Sequence, residues 1–268
     1  MFYFTIFIVI AIIAMLLILY KLYNIQKNIL NINNSLEFAN IPTPIKNSTN
    51  VIPKIIIQTW KSNTIPNRYI SLTESIKKHN PDYTYLFFTD TDIETFLSTN
   101  YPEYYQTYLN LPIKIQKIDF FRYVAVYHYG GFYMDLDMSC LKSFDELLKY
   151  NCIFPVDEFI SEYICKMPRY KNICDKGQYF LLGQYAFAAV PRNPFIKNII
   201  DIIHNNIDRY VKHVIYNNDD YVYKTTGPDF VTNVYIHYSD KKDIFILNNG
   251  KRQYFGDYAK HNYFGTWK

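Results

Sequence analysis

The stretch that decides the fold is PIKIQKIDFFRYVAVYHYGGFYMDLD, from Pro112 to Asp137. Pro112 suits the first position of a helix, and Gly130–Gly131 suits the left-handed backbone just beyond a helix's last turn. The stretch therefore predicts a helix that begins at Pro112 and stops before the glycine pair. The residues that follow, Phe132 to Leu136, have the apolar character of a strand.

Two aspartates come at the end of this predicted strand. Because the side chains of a strand alternate, Asp135 and Asp137 are expected to leave the chain on the same face. Two adjacent carboxylates suit Mg²⁺ or Mn²⁺, which prefer oxygen ligands and keep positions open for phosphates. The pattern predicts a metal site that could hold a diphosphate.

The preceding helix adds an acidic and a basic side chain. Asp119 and Arg122 are three residues apart, so they are neighbours on one helix face, which also carries Ile115 and Val126. A charged pair among apolar neighbours is costly to bury unless each partner is satisfied. From spacing alone, a structural ion pair inside a buried helix is favoured.

A second Asp-x-Asp, at Asp90–Asp92, shows how little the tripeptide means by itself. It also follows a hydrophobic run, and helix capping explains both carboxylates without chemistry. Asp135–Asp137 differs in its surroundings, which include a charged helix, a glycine pair and Tyr133 on the same strand face.

Composition narrows the class of protein. With 268 residues and 49% hydrophobic composition, the chain can bury one sizeable core. The formal charge is only +4, and no basic block or basic helix stripe occurs, so a nucleic-acid partner is not expected.

Strands and helices are predicted to alternate through the rest of the chain. The predicted strands are Lys54–Trp60, Tyr83–Phe88, Cys152–Pro155, one or two within Tyr179–Val190, and Asp243–Asn248. Helices are predicted over Asn67–His79, from Asp90 or Asp92, over Pro191–Tyr210 and over Phe230–Tyr238, and a helical turn at Lys142–Leu148. This alternation predicts an α/β fold with a mostly parallel sheet. The aromatic C-terminus is expected to be docked over the domain.

The N-terminus predicts a membrane anchor. Phe2 to Tyr20 carry no charge and are long enough for a transmembrane helix, so residues 1–23 are assigned as anchor, 24–50 as a polar stem and 51–268 as the folded domain. Lys21 and Lys27 alone would place the domain in the cytoplasm. The sequons at Asn33 and Asn47 favour a lumenal stem instead. Because of the resemblance described below, a type II protein with a lumenal, Golgi- or ER-like domain is the preferred prediction, and a cytoplasmic domain stays open.

Four cysteines allow three pairings, and none has the spacing of a zinc site. In an oxidising lumen Cys165 could pair with Cys174, whereas in the cytosol all four would be free thiols. The sequence does not choose between these.

Several motifs occur in the order found in one enzyme family. They are an opening strand with Gln-x-Trp, an Asp-x-x-Arg helix, a Tyr-Gly-Gly-x-Tyr-x-Asp-x-Asp signature, a Thr-Gly-Pro and a His-to-Trp tail, at Ile52–Trp60, Lys117–Val124, Tyr129–Asp137, Thr226–Pro228 and His261–Trp267. In these motifs the chain resembles glycosyltransferase family 32, whose sugar-binding region contains a DXD motif. The family includes initiating α-1,6-mannosyltransferases and inositol phosphoceramide mannosyltransferases, and toxin glucosyltransferases are similar at a greater distance.

The resemblance implies a GT-A fold, a Rossmann-like and mostly parallel sheet that binds nucleoside diphosphate sugars. It implies that Asp119 and Arg122 contact the donor sugar, which replaces the ion-pair interpretation. Tyr133 is expected to line the site, and Asp135 and Asp137 to serve the metal and the sugar nucleotide. The expected catalytic residues are therefore Asp119, Arg122, Asp135 and Asp137.

The same resemblance assigns the two ends of the site. Trp60 is expected beside the nucleotide base. His261, Thr266 and Trp267 are expected to close over the diphosphate, with His261 as a possible further ligand of Mn²⁺ (or Mg²⁺). The chain departs from the family at Asn262, Thr266 and Tyr185, where a histidine, a serine and an asparagine are usual.

The function implied is metal-dependent, retaining transfer of a hexose from a GDP- or UDP-sugar to a hydroxyl of a glycan or glycolipid. The segment from Asp157 to Gln178 is expected to influence the choice of acceptor. One alternative is a membrane-tethered protein that binds sugar nucleotides without turnover. Another, a metal-dependent phosphotransferase, is disfavoured because no P-loop or kinase-type glycine motif occurs.

Overall fold

The computed structural model describes residues 14–24, 51–248 and 254–265. Residues 14–24 form a helix, α1. Residues 1–13 of the predicted anchor and 25–50 of the predicted stem lie outside the described residues. Within the described ranges, no helix combines the length and the apolar character needed to cross a membrane.

Strands and helices alternate along the domain. The strands are β1 (Ile55–Thr59), β2 (Thr84–Phe88), β3 (Gly131–Met134), β4 (Met138–Cys140), β5 (Cys152–Phe159), β6 (Phe180–Leu182), β7 (Ala186–Ala189), β8 (Ile244–Leu247), β9 (Tyr254–Phe255) and β10 (Ala259–His261). The further α-helices are α2 (Asn67–His79), α3 (Asp90–Asn100), α4 (Pro102–Asn110), α5 (Lys114–Tyr129), α6 (Pro168–Cys174), α7 (Pro194–Asn205), α8 (Ile207–Lys212), α9 (Asp219–Thr225) and α10 (Pro228–His237).

The main sheet has the strand order β2-β1-β3-β7-β5-β6, and β8 also pairs with β5. β1 is parallel to both β2 and β3, and β5 is parallel to β8. β7 lies antiparallel between β3 and β5, and β6 is antiparallel to β5. Five strands therefore point the same way, and β6 and β7 are reversed. The predicted α/β fold is confirmed, with a mixed central sheet in which most strands point the same way.

Both faces of the sheet are covered, because alternate residues of each strand enter different clusters. Ile57 and Tyr133 are buried with residues of α3, α4, α5, α7 and α10 on one side. Ile56 and Phe132 are buried on the other side with α2 and a small sheet. This small antiparallel sheet has the order β4-β10-β9.

Helix α5 begins two residues later than predicted. Ile113 is extended (φ −116°, ψ 135°), and its N–H donates to Oε1 of Gln116 at 3.1 Å, so the first helical residue is Lys114. Pro112 therefore precedes the helix.

The predicted stop at the glycine pair is confirmed. Gly130 and Gly131 have φ of 66° and 87°, values that side chains disfavour. A Cβ on Gly131 would lie 2.5 Å from the carbonyl oxygen of Ile55, so β3 can pair this closely with β1 only because the residue is glycine.

The strand after the glycines is shorter than predicted. β3 ends at Met134, and Asp135, Leu136 and Asp137 form a turn, closed by the Met138 N–H donating to the Asp135 carbonyl at 3.1 Å. The expectation that strand alternation brings the two carboxylates together is wrong. A turn that carries the chain from the main sheet to the small sheet does so instead.

Other differences occur where elements are short. The predicted helix over Pro191–Tyr210 is two helices, α7 and α8, separated at Asn206. The helical turn predicted at Lys142–Leu148 is present as a 3₁₀ turn at Asp145–Leu147. Tyr179–Val190 agrees with the prediction of one or two strands, because it contains two, β6 and β7. β4, β9 and β10 have two or three residues each, too few for a periodic pattern, and were not predicted.

Candidate functional site

A cavity of about 900 Å³ opens where β1 and β3 end, beside helix α5. Ligands of α/β sheets commonly bind at the carboxyl ends of the strands, and this volume is within the range of ligand pockets. All predicted site residues that the structure describes line the cavity: Trp60, Asp119, Arg122, Tyr133, Asp135, Asp137 and His261. Thr266 and Trp267 lie outside the described residues.

The inner wall of the cavity is a buried charged group. A terminal nitrogen of Arg122 lies 3.1 Å from Asp119 Oδ1 and 3.4 Å from Asp135 Oδ1. The other terminal nitrogen donates to the carbonyl oxygen of Gln184 at 3.1 Å, and Thr226 Oγ1 donates to Asp119 Oδ2 at 2.7 Å. The ion pair that the spacing of Asp119 and Arg122 predicted is therefore present, and both residues also line the cavity.

Burial sets the electrostatics of this wall. The side chains of Asp119 and Arg122 are 1% and 3% exposed. Burial raises the pKa of Asp119 to about 6, against the opposing charge of Arg122. Burial alone would lower the pKa of Arg122, but the charge of Asp135 raises it above the usual arginine value. The guanidinium is thus a fixed positive charge.

Two atoms of this pair have hydrogen-bonding capacity left over. Apart from the ion-pair contact of Asp119 Oδ1 with the Arg122 terminal nitrogen at 3.1 Å, Asp119 Oδ1 and Arg122 Nε have no hydrogen-bond partner among the described residues, although both atoms are buried. Buried polar atoms are rarely left without a hydrogen bond in a protein. A ligand that presents hydroxyl or phosphate oxygens in the cavity would satisfy them.

Tyr133 connects the inner wall to the turn. Its hydroxyl donates to Asp135 Oδ1 at 2.8 Å, and the Arg122 guanidinium lies 4.7 Å from its ring centroid. Because Tyr133 is on β3 and only 1% exposed, the sheet holds both contacts in place.

The Asp135–Asp137 turn is held from both sides. Gln58 Nε2 donates to the Asp135 carbonyl at 3.1 Å, and the Asp135 N–H donates to the Tyr185 carbonyl at 2.7 Å. At the other end, the backbone N–H and Nδ2 of Asn262 donate to the Asp137 carbonyl at 2.9 and 2.7 Å. Asn262, a departure from the family pattern, therefore anchors the turn.

His261 reaches the turn through the small sheet, in which it pairs with Met138. Its Nε2 lies 3.2 Å from Asp137 Oδ1, and its ring is stacked on Tyr185 at 4.5 Å between centroids. Burial would raise the pKa of Asp137, but the hydrogen bond and charge of His261 lower it below the ordinary value. Burial raises the pKa of Asp135, against the charge of Arg122.

These side chains fit a divalent cation. Asp135, Asp137 and His261 each offer one ligand atom, and the three atoms lie within 4.8 Å of one another. The two carboxylates are the oxygen ligands that Mg²⁺ and Mn²⁺ prefer, and the imidazole adds one nitrogen ligand. His261 Nδ1 is buried and has no hydrogen-bond partner among the described residues.

Aromatic side chains form the wall that begins at Trp60. The Trp60 ring lies 5.2 Å from that of Tyr69, which lies 5.5 Å from that of Phe264. The Phe264 N–H donates to Asp137 Oδ2 at 3.0 Å, so this wall is connected to the turn. The prediction that the aromatic C-terminus is docked is confirmed for its described part.

Sequence reasoning missed several supporting residues. Gln58 lies inside the Gln-x-Trp motif and Thr226 inside the Thr-Gly-Pro motif, so the motifs carried a signal for them. Gln184 had none. Tyr123 donates to Gln184 Oε1 at 2.7 Å, a contact between segments 61 residues apart.

The segment from Asp157 to Gln178 begins at the cavity. Asp157, Glu158 and Arg169 line it, and burial raises the pKa of Asp157 to about 6. A disulfide joins Cys165 to Cys174, the pairing that the sequence left open. Part of this segment therefore lies beside the site, and its influence on the choice of acceptor stays a prediction.

Comparison with known families gives a match over residues 66–154, to the "Glycosyltransferase sugar-binding region containing DXD motif". This part of the chain is therefore similar to that region. The matched residues include α5, the glycine pair and the Asp135–Asp137 turn, so the resemblance inferred from the motifs is confirmed.

Curated relatives agree with this match. The chain is 30% identical over 226 residues to inositol phosphoceramide mannosyltransferase 1 of Schizosaccharomyces pombe, covering 80% of this chain and 63% of the relative. It is 41% identical over 104 residues to inositol phosphoceramide mannosyltransferase 3 of the same organism, covering 39% of this chain and 29% of the relative. The chain thus spans only part of the length of these relatives. The solved structure of PaToxG glycosyltransferase is similar at 19% identity and a TM-score of 0.48, covering 78% of this chain and 76% of that one.

Proposed function

We propose that this protein is a metal-dependent hexosyltransferase with a GT-A fold. It transfers a hexose from a nucleoside diphosphate sugar to a hydroxyl of a glycan or glycolipid, with retention at the anomeric carbon. The relatives named as inositol phosphoceramide mannosyltransferases make a mannosyl donor and an inositol phosphoceramide acceptor the first pair to test.

One observation carries the proposal: the carboxylates of the turn, the imidazole of His261 and the Asp119–Arg122 pair line the same cavity. A structural ion pair needs no cavity, and a metal site alone needs no buried arginine beside it. Together they offer a cation site for a diphosphate next to unsatisfied polar atoms for sugar hydroxyls.

Each side chain has a distinct task in this mechanism. When bound at Asp135, Asp137 and His261, a divalent cation supplies positive charge to the departing diphosphate. Arg122 places a second, permanent positive charge where negative charge develops. Asp119 Oδ1 accepts a hydrogen bond from a sugar hydroxyl and so orients the ring.

Exclusion of water is the task of the aromatic wall. Trp60 and Tyr69 line the cavity at the donor's nucleotide end, and Phe264 packs against Tyr69. The tail beyond Phe264, with Thr266 and Trp267, is proposed to close over the diphosphate. Closure limits hydrolysis of the donor, because water competes with the acceptor for the same carbon.

The membrane anchor and lumenal location remain part of the proposal. The Cys165–Cys174 disulfide supports an oxidising compartment, where such bonds persist. Modification of the sequons at Asn33 or Asn47 in the native cell would support a lumenal domain, and protease digestion of the domain in intact vesicles would contradict it.

The transferase activity can be tested with the full chain in detergent. Mn²⁺, a panel of GDP- and UDP-sugars and an inositol phosphoceramide acceptor are combined, and the product is identified by mass spectrometry. We expect transfer that stops with a chelator, returns with added Mn²⁺ and yields a product whose anomeric proton signal shows retention.

Asp119→Asn and Asp201→Asn provide a matched pair for this assay. Asp119 lines the cavity, whereas Asp201 forms an ion pair with Lys197 on α7. Transfer should be lost in the first variant and kept in the second. Tight nucleotide-sugar binding with neither transfer nor hydrolysis in the wild type would reject the enzyme and leave a sugar-nucleotide-binding protein.

A further inference from the structure

One ion pair in the cavity wall has no role in the proposed transfer. Asp90 and Lys114 both line the cavity, and Lys114 Nζ lies 2.5 Å from Asp90 Oδ2. Asp90 is the first residue of α3 and is separated from β2 by Thr89, and Lys114 is the first residue of α5. Their side chains are 33% and 66% exposed, so a ligand in the cavity can reach both.

Helix capping does not account for Asp90. The cap of α3 is formed by Thr89 and Asp92: the backbone N–H and the hydroxyl of Thr89 donate to Asp92 Oδ2 at 2.9 and 2.6 Å, and the Asp92 N–H donates to Thr89 Oγ1 at 3.2 Å. The expectation that Asp90 and Asp92 are both capping residues therefore holds only for Asp92. An ion pair as exposed as Asp90–Lys114 also contributes little to stability.

The pair lies on the side of the cavity where Trp60 is placed. β1 and β2 are parallel neighbours with Thr59 opposite Phe88, so Trp60 and Asp90 follow adjacent strand ends. The backbone N–H of Trp60 donates to the Phe88 carbonyl oxygen at 3.1 Å.

The Asp135–Asp137 turn lies on the other side of the end of β1. This turn follows β3, and β1 separates β3 from β2 in the sheet. β2 and β3 are therefore roughly 10 Å apart, since neighbouring strands are separated by about 4.8 Å. A ribose and a diphosphate span such a separation.

We propose that Asp90 and Lys114 bind the edge of the donor's base, and that they fit a base with a carbonyl beside a ring N–H, which is guanine or uracil. This inference rests on the proposed function, because it assumes that a nucleoside diphosphate occupies the cavity. Asp90 accepts a hydrogen bond from the ring N–H, and Lys114 donates one to the adjacent carbonyl oxygen.

The same two charges disfavour adenine and cytosine. Both bases present an amino group beside a ring nitrogen with a lone pair. When either base takes the orientation in which guanine or uracil makes both hydrogen bonds, that lone pair faces the Asp90 carboxylate and the amino group faces the Lys114 ammonium, so both contacts are repulsive. Guanine adds a 2-amino group next to its ring N–H, which gives the carboxylate a second donor.

Calorimetric titration of the full chain in detergent with Mn²⁺ tests the assignment. The probes are GDP, UDP, ADP, CDP and inosine diphosphate, which lacks the 2-amino group of guanine. We expect GDP or UDP to bind at least about tenfold more tightly than ADP and CDP, the selectivity of a good hydrogen-bonded base contact. Weaker binding of inosine diphosphate than of GDP identifies guanine as the base, and preference for UDP over both identifies uracil.

The variants Asp90→Ala and Lys114→Met should each remove most of that preference. Their controls lie two and three residues away: Asp92→Asn disturbs the cap, and Lys117→Met removes a lysine that is not among the cavity-lining residues. Both controls should keep the preference of the wild type.

The outcomes separate this inference from the proposed function. If the wild type prefers GDP or UDP and both cavity variants keep that preference, Asp90 and Lys114 do not bind the base, while the transferase proposal stands. Equal affinity for all the nucleotides overturns the base assignment in the same way. If no nucleotide binds, both proposals fail.

Discussion

The tripeptide Asp-x-Asp follows two strands of the main sheet that point the same way, and its two copies have different surroundings. After β2, Asp90 and Asp92 begin a helix, and the Asp92 carboxylate bends back to Thr89. After β3, Asp135 and Asp137 flank a turn, and their carboxylates come together with His261.

The first aspartate of each copy has a basic partner on α5, and the partners differ in burial. Lys114, opposite Asp90, is 66% exposed, whereas Arg122, opposite Asp135, is 3% exposed. The comparison teaches that the element following the tripeptide decides its chemistry. A helix uses a carboxylate to satisfy its own backbone, whereas a turn leaves both carboxylates available to a ligand.

Replacing the buried partner should have the largest effect on stability. Arg122→Met leaves the buried Asp119 without its charge partner, and removing one member of a buried pair costs about 3–5 kcal/mol of unfolding free energy. The matched change Lys114→Met should cost at most about 1 kcal/mol, since its pair is exposed. Urea unfolding measures both. If Arg122→Met lowered the unfolding free energy no more than Lys114→Met does, the distinction between the two Asp-x-Asp copies would be lost.

Removing a carboxylate from the second copy should have the largest effect on turnover. Asp137→Asn is expected to slow transfer by about a hundredfold or more, because the charge stabilisation of the leaving group is lost. Asp92→Asn should leave the rate close to that of the wild type. Initial rates with the best donor decide the question, and equal losses in the two variants would argue against a metal site at the turn.

The anchoring of the turn should affect metal affinity less strongly. Asn262→Ala removes one hydrogen bond to the Asp137 carbonyl and should weaken Mn²⁺ binding about tenfold, as is usual for residues that orient ligands. Titration followed by electron paramagnetic resonance measures this affinity. Asn172→Ala, an exposed residue of α6, is the control. Unchanged affinity in the first variant would mean that the turn holds its shape without Asn262.

The smallest effect is expected for the cap of α3. Hydrogen bonds from Thr89 lower the pKa of Asp92 below its ordinary value. A carboxyl group of this kind stabilises the fold above its unfolded pKa of about 4 and ceases to do so as the pH falls through the folded value. Asp92→Asn should therefore cost about 0.3–1 kcal/mol at neutral pH and almost nothing in acid. A pH-independent difference in thermal unfolding would contradict this role.

The order of strands and helices could be predicted because it depends on local sequence patterns. Apolar runs marked β1 and β2, and the glycine pair marked the end of α5. Spacing also placed Asp119 beside Arg122. Spacing favoured a structural ion pair and the family resemblance favoured a sugar contact, and the structure shows a buried pair that lines the cavity.

The sequence alone determined which side chains were candidates: residue type, helix spacing and turn-forming glycines, which act over a few residues, marked Asp119, Arg122, Asp135 and Asp137, and the family resemblance added the others. Only the tertiary structure decided how they meet. His261 reaches Asp137 because β10 pairs with β4 across more than a hundred residues of chain, and strands of three residues leave no periodic signal. The same holds for Asp90 and Lys114, which follow a strand and begin a helix without a shared motif, and come together only when the sheet and α5 pack.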